Sequence, residues 1–146
     1  MRVLALDLGA RRIGVAVSDP SGTLASPCEV IQRSGSSAAD HCRVAELVEE
    51  AGAERVVVGL PLSLDGRTGP AARKVLAEVE ELAAALDVPV ETVDERFSTV
   101  TADRSMIERG MKAPARRKVV DQVAAAVLLQ TWLDGRPRSQ PTEPPR

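Results

Sequence analysis

Aromatic side chains are almost missing from this chain: among its 146 residues there are one Phe, one Trp and no Tyr. Proteins that hold single strands of nucleic acid by stacking bases need several aromatic platforms, so the shortage counts against that mode of binding. Histidine is rarer still, with His41 alone, and the two cysteines, Cys28 and Cys42, stand far apart with no Cys-x-x-Cys spacing. That supply argues against a zinc site and reads as two reduced thiols in a cytoplasmic protein. No apolar run approaches the ~20 residues of a membrane span. Arg2 is the only early positive charge, and no apolar stretch of the signal-peptide kind separates it from Asp7, so no secretory leader is expected. His41 lies in a polar stretch that reads as exposed, and no Ser or Cys stands in a nucleophile motif.

What is present is the balance of a soluble globular protein, with 44% hydrophobic and 27% charged residues, in a chain long enough for one domain with a real core. The formal net charge of −2 excludes a generic basic nucleic-acid binder. The charge is uneven, however. Residues 104–118 carry Arg104, Arg109, Lys112, Arg116, Arg117 and Lys118 against one acid, Glu108, while acids gather at Glu46, Glu49, Glu50 and Glu54 and at Glu78, Glu80 and Glu81. A local basic arm on an acidic body can still dock phosphates, because steering follows the local field.

Residues 2–8 and 13–18 read as strands, the second alternating Ile13, Val15 and Val17 with Gly14, Ala16 and Ser18 around a turn at Gly9. Residues 23–32 read as a third strand, interrupted by Pro27 and therefore at an edge or bulged. A helix over 39–51 follows, N-capped from the 34–37 Ser/Gly run and ended by Gly52. The apolar run at 54–60 suits a strand covered on both faces. Helices are expected over 70–86, from Ser98 or Thr99 to about residue 108, and over 118–133, with a short strand at 89–93. Residues 135–146 hold four prolines and read as a disordered tail after a domain spanning 1–134. Three strands in a meander followed by strand–helix alternation imply an α/β fold with a mixed five-stranded sheet and helices on both faces.

Three acids fall where their surroundings are apolar or sharply turned: Asp7 inside the first strand, Glu95 at the end of the last strand, and Asp121 early in the last helix, ahead of Ala124, Ala125 and Ala126. A bare charge on an inner strand is costly. Strand ends of an open α/β sheet share one edge where ligands collect, and three carboxylates converging there repel one another unless a divalent cation sits among them. Hard Mg²⁺ or Mn²⁺ suits such oxygens, and two ions ~3.5–4 Å apart serve phosphodiester hydrolysis. Each acid also has an ordinary reading: Asp7 paired with Arg11 or Arg12, Glu95 with Arg96, and Asp121 with Lys118 or with the helix dipole.

The segments "LALDLGARRIGVAVSD", "VVVGLPLSLDG", "VDERFST" and "VVDQVAAAVLLQTWL" occur in that order over residues 1–134. Together they resemble the YqgF/RuvX family, whose members are called pre-16S rRNA nucleases or Holliday junction resolvases. The resemblance implies an RNase H-like fold, a cytoplasmic metal-dependent nuclease, and Asp7, Glu95 and Asp121 as catalytic ligands of Mg²⁺ or Mn²⁺. Its substrate would be nucleic acid, the 5′ end of pre-16S rRNA foremost. Gly9 and Gly14 are then turn residues that leave the backbone open near Asp7. Arg11, Arg12, Arg96, Lys112, Arg116, Arg117 and Lys118 are candidate substrate contacts, the last four in a basic arm, "ERGMKAPARRK", that meets phosphates without reading sequence. Gly59-Leu60-Pro61 and Asp65-Gly66 shape a loop at the neighbouring strand end.

Other functions compete. Resolution of four-way DNA junctions uses the same site but needs a symmetric homodimer, with Phe97, Met106 and Met111 as candidate apolar contacts. Asp-x-Gly at the end of a first strand also occurs in actin-like and sugar-kinase ATPases, whose paired domains one chain of this length does not supply. A non-catalytic RNA-binding ribosome-assembly factor is the reading of another class, and the intact acid trio argues against it.

Overall fold

The computed structural model describes residues 1–63, 65–95 and 113–136, the backbone alone over residues 113–122. The expected helix after Ser98, the residues Arg96, Phe97, Met106, Met111 and Lys112, and the tail from residue 137 lie outside the described residues.

The described chain forms β1 (Val3–Leu8), β2 (Arg12–Ser18), β3 (Ala25–Gln32), α1 (Ser37–Ala51), β4 (Arg55–Leu60), α2 (Pro70–Ala85), β5 (Val90–Asp94) and α3 (Ala113–Gly135). Local chemistry sets the bounds. Ser36 accepts a hydrogen bond from the Ala39 amide at 3.2 Å and starts α1. Gly52 ends it in the left-handed region at φ 65, its amide bonded back to Glu49 and Val48 carbonyls. Pro70 opens α2, where its missing N–H has no partner to lose.

The strands order as β3-β2-β1-β4-β5. The first three pair antiparallel as a meander, and β4 and β5 add parallel to β1 through the α1 and α2 crossovers. The sheet is therefore mixed, as the element order implied. β3 is the edge strand and it is bulged: Val15 pairs with Glu29 and Ala16 with Pro27, so Cys28 is the extra residue. A proline cannot donate to a ladder, and both features blunt the edge.

Pleating divides the sheet into two different faces. Leu4, Leu6, Ile13, Val15, Val56 and Val58 pack with Val44, Leu47 and Val48 of α1 and with Val75 and Leu82 of α2. The opposite face is built of smaller residues, Val3, Ala5, Ala16 and Val57, and receives Ala125, Leu129 and Leu133 of α3. Small side chains on both partners let this helix lie close to the sheet. α3 packs chiefly over β2, β3 and β1 and runs antiparallel to β4 and β5: Leu128 lies at the carboxyl end of β4 against Gly59, while the Trp132 indole N–H donates to Glu91 near the start of β5. Gln130 ties α3 to the edge, accepting from the Ala25 amide and donating to the Thr23 carbonyl, both at 2.9 Å.

One boundary differs from expectation. α3 begins at Ala113, not at residue 118. Pro114 and the basic run read as loop, but proline is tolerated in a first helical turn. Arg116 and Arg117 therefore belong to helix, not to a free arm, and the helix continues to Gly135, one residue past the expected domain end.

Leu129 is fully buried between α3 and the sheet, whereas Leu24 is 63% exposed. Leu129→Ala is expected to cost about 2–5 kcal/mol in urea unfolding, against less than about 0.5 kcal/mol for Leu24→Ala.

Candidate active site

Alternation along β1 sends Val3, Ala5 and Asp7 to the α3 face. Asp7 is 9% exposed, one of few polar residues so deeply covered. Its cross-strand partner on β2 is Gly14. On the other side the parallel register runs to Leu6 opposite Val58, so the next position brings Gly59 beside Asp7. A carboxylate thus stands between two positions without side chains.

Glu95 follows directly on β5 and shares the parity of Val93, which packs toward α3. β4 pairs Gly59 with Val93, so Glu95 comes from the far side of β4 toward the same end of the sheet. A Cβ on Gly59 would lie 2.8 Å from Glu95 Oε1 and 3.0 Å from Leu128 Cδ2. Gly59 is therefore the position that admits Glu95. The sequence reading treated it only as a loop former. Asp121 lies on α3 one turn before Ala125 and two turns before Leu128, roughly 10 Å along the axis from the latter and on the carboxyl-edge side of it. Its side chain, like those of Arg116, Arg117 and Lys118, is outside the described set. Among the described residues no three His, Cys, Asp or Glu side chains gather into a metal-binding group.

The turn that carries Asp7 is tight. The Gly9 amide donates to the Asp7 and Arg12 carbonyls at 3.1 and 3.0 Å, and a Cβ on Gly9 would come 2.7 Å from the Arg12 carbonyl oxygen. Arg11 is exposed and Arg12 half-buried at the start of β2. Asp65 accepts from the Ser63 hydroxyl at 2.6 Å and the Arg67 amide at 3.0 Å, and so braces its own turn. Cys28 and Cys42 are free, exposed thiols. Burial first, and then the Glu29 charge, pushes the Cys28 thiol up.

His41 corrects the sequence reading. It is 4% exposed, not solvated, because it falls on the Val44/Val48 stripe of α1. Its Nε2 lies 2.7 Å from Glu78 Oε2 of α2, and Glu78 also accepts both terminal nitrogens of Arg33, at 2.8 and 2.9 Å. Burial alone would raise the Glu78 carboxyl, but the hydrogen bonds from Arg33 and His41 outweigh it and hold the group below its ordinary value of 4.5. The Glu78 fork in turn raises Arg33. The pairing was readable only in part: the helical positions of His41 and Glu78 point inward, while no local pattern tells that Arg33 joins them.

The sheet order with helices on both faces is that of the RuvC-like, RNase H-like resolvases. "T. thermophilus RuvC in complex with Holliday junction substrate" superposes with a TM-score of 0.56 at 22% identity, over 92% of this chain and 96% of its own. The fowlpox virus Holliday junction resolvase gives 0.52 at 11% identity, over 93% and 100%. A family model, "RuvX: Holliday junction resolvase", matches residues 1–135, and the chain belongs to that family. A relative from Mycobacterium sp. (strain KMS), named "Putative pre-16S rRNA nuclease", is 48% identical over 136 residues, 92% of this chain and 80% of its own. One of the same name from Pelotomaculum thermopropionicum is 44% identical over 142 residues, 96% and 92%.

A carboxyl whose folded value is depressed adds stability above its unfolded value and loses it as pH falls through the folded one. Glu78, and Glu29, which Arg43 holds down by a hydrogen bond, are the groups concerned. Wild-type urea midpoints are expected to fall between about pH 5 and pH 3, and Glu78→Gln to flatten part of that acid limb.

Proposed function

We propose that the chain is a divalent-metal-dependent nuclease that hydrolyses phosphodiester bonds of structured nucleic acid, and that its substrate is the 5′ end of the small-subunit rRNA precursor. The observation that carries the reading is the covered Asp7 carboxylate between Gly14 and Gly59, with Glu95 admitted to the same end by the missing Cβ of Gly59. Membership of the RuvX family and the names of relatives at 44–48% identity support the reaction class and the substrate. No helix among the described residues is long and apolar enough to cross a membrane, in keeping with the cytoplasm as the place where a bacterial rRNA precursor is met.

The donor set fits Mg²⁺ or Mn²⁺: the groups assigned are carboxylate oxygens, and no thiol or imidazole belongs to them. Asp7 and Glu95 would hold the metal, with Asp121 completing the set from α3. Bound there, divalent ions supply an activated water and stabilise the leaving oxygen of the phosphodiester. The chain's own part is geometric. Asp7 is fixed by a strand paired on both sides, Gly59 makes room for Glu95 beside it, and Arg11 and Arg12 meet the flanking phosphate backbone at the β1–β2 turn. Arg116, Arg117 and Lys118 extend that phosphate contact from the first turns of α3, with Arg96 and Lys112 in the segment before it.

End-labelled small-subunit rRNA precursor and a four-way DNA junction should be cleaved side by side in Mn²⁺ at equal enzyme. Cleavage of the precursor at its 5′ end, lost by more than about 100-fold in folded Asp7→Asn, is the expected outcome. Paired nicks in the junction with the RNA untouched would move the protein to DNA recombination, as a symmetric dimer. Cleavage of neither, by a protein that binds the RNA tightly, would make it an assembly factor. Gly59→Ala is expected to lower cleavage roughly tenfold or more, because Glu95 must move, while stability changes by no more than about 1 kcal/mol because both crowded atoms end flexible side chains.

A further inference from the structure

On the sheet face away from Asp7, three charged or titratable side chains are largely taken out of water. His41 of α1, Glu78 of α2 and Arg33, just after β3, are 5%, 16% and 19% exposed at their side chains. A buried ion pair brings little net stability, since desolvation offsets the attraction, and an apolar trio would close the same gap between the helices. What the trio does contact is the active-site turn. Arg33 Nε donates to the Gly9 carbonyl at 2.9 Å, and the Arg33 amide donates to the Arg11 carbonyl at 2.9 Å. Gly9 is bonded on its other side to the Asp7 and Arg12 carbonyls. All three nitrogens of the guanidinium are thus engaged: two are locked on Glu78, and the third reaches the residue two places after Asp7. Arg33 and Glu78 line an open cleft of about 530 Å³, together with Gly9 and Ala10 of the turn and Lys74 and Glu81 of α2.

We propose that Arg33 is a positioning residue for the nuclease reaction, oriented by Glu78 and His41, and that it sets the β1–β2 turn so that Asp7, Arg11 and Arg12 keep their places. The inference rests on the nuclease reading above. A Lys at this position provides the charge but not the fork: it can stay with Glu78 or reach Gly9, not both in the same geometry.

The test compares wild type, Arg33→Lys and Glu78→Gln, with two readouts. The first is steady-state cleavage of the rRNA precursor in Mn²⁺. The second is amide hydrogen exchange at Gly9, with the amide of Gly22, in the Asp19 turn, as an internal reference. Arg33→Lys is expected to lower kcat roughly 10–100-fold with KM within about twofold, and to speed exchange at Gly9 but not at Gly22. Glu78→Gln keeps a neutral acceptor and is expected to fall between the two, a graded order that general loss of stability would not give. If Arg33→Lys does not fold, Glu78→Gln carries the same comparison. Unchanged kcat in a folded variant overturns the proposal, even if Gly9 exchanges faster. A wild type that cleaves no nucleic acid sinks the nuclease reading instead. Exchange at Gly9 then still decides whether Arg33 holds the turn.

Discussion

Everything at the candidate site depends on keeping one carboxylate on a sheet face that is otherwise apolar. Asp7 continues the row of Val3 and Ala5 beneath α3, where a side chain of that size and charge would normally be excluded. The sheet accommodates it by omission. Gly14 on one side and Gly59 on the other contribute no Cβ, so the neighbouring strands crowd the carboxylate with backbone and not with hydrocarbon. The same omission at Gly59 gives Glu95 and Leu128 their places. Two glycines in strand interiors weaken a sheet. Their positions, both flanking Asp7, indicate what is gained: a place for carboxylates in an otherwise apolar layer.

Much of this was legible along the chain. Alternation in β2, the unbroken apolar run of β4, the Ser36 cap and the Gly52 stop are short-range signals, and the elements follow them. Pro27 announced an edge strand because its lost donor is tolerable only there. The start of α3 falls earlier than expected because the basic run before Lys118 reads as an arm, while proline at a helix start is only a missing donor with nothing to lose. Asp7 and Glu95 stood out because an acid in an apolar strand or at its end contradicts the local pattern. Their shared face could not be read from spacing, since it needs strand order and register, which join residues 7, 59 and 95 across two crossovers.

The Arg33–Glu78–His41 trio marks the opposite limit. Each member sits in a segment whose local signals are ordinary: a residue after a strand, an acid in an acidic helix, a histidine in a polar run. His41 reads as exposed from its polar neighbours, although it shares the helical stripe of Val44 and Val48, and a polar residue on an apolar stripe does not name its partner. The contact joins three elements across gaps of 37 and 45 residues. Such networks are set by tertiary packing, so propensity and periodicity carry almost no information about them.

Charge is distributed along the strand axis in a way that bears on an anionic substrate. α1 runs antiparallel to β4, so its second half, with Glu46, Glu49 and Glu50, lies toward the amino ends of the parallel strands, where Arg2 reaches the Ala51 carbonyl and Glu54 precedes β4. Arg43 neutralises part of that cluster through Glu29, Glu46 and Glu50. The carboxyl edge, where Asp7 and Glu95 stand with Asp94 at the end of β5, carries the arginines of the β1–β2 turn, Arg67 paired with Asp65 at 3.2 Å, and the start of α2 with Arg73 and Lys74. With a Debye length of about 8 Å at physiological salt, acids at the far edge of the sheet are largely screened from a phosphate at the near one. In a chain with a net charge of −2 the arginines of the β1–β2 turn therefore act locally, because the local field and not the total charge governs the approach of an anion.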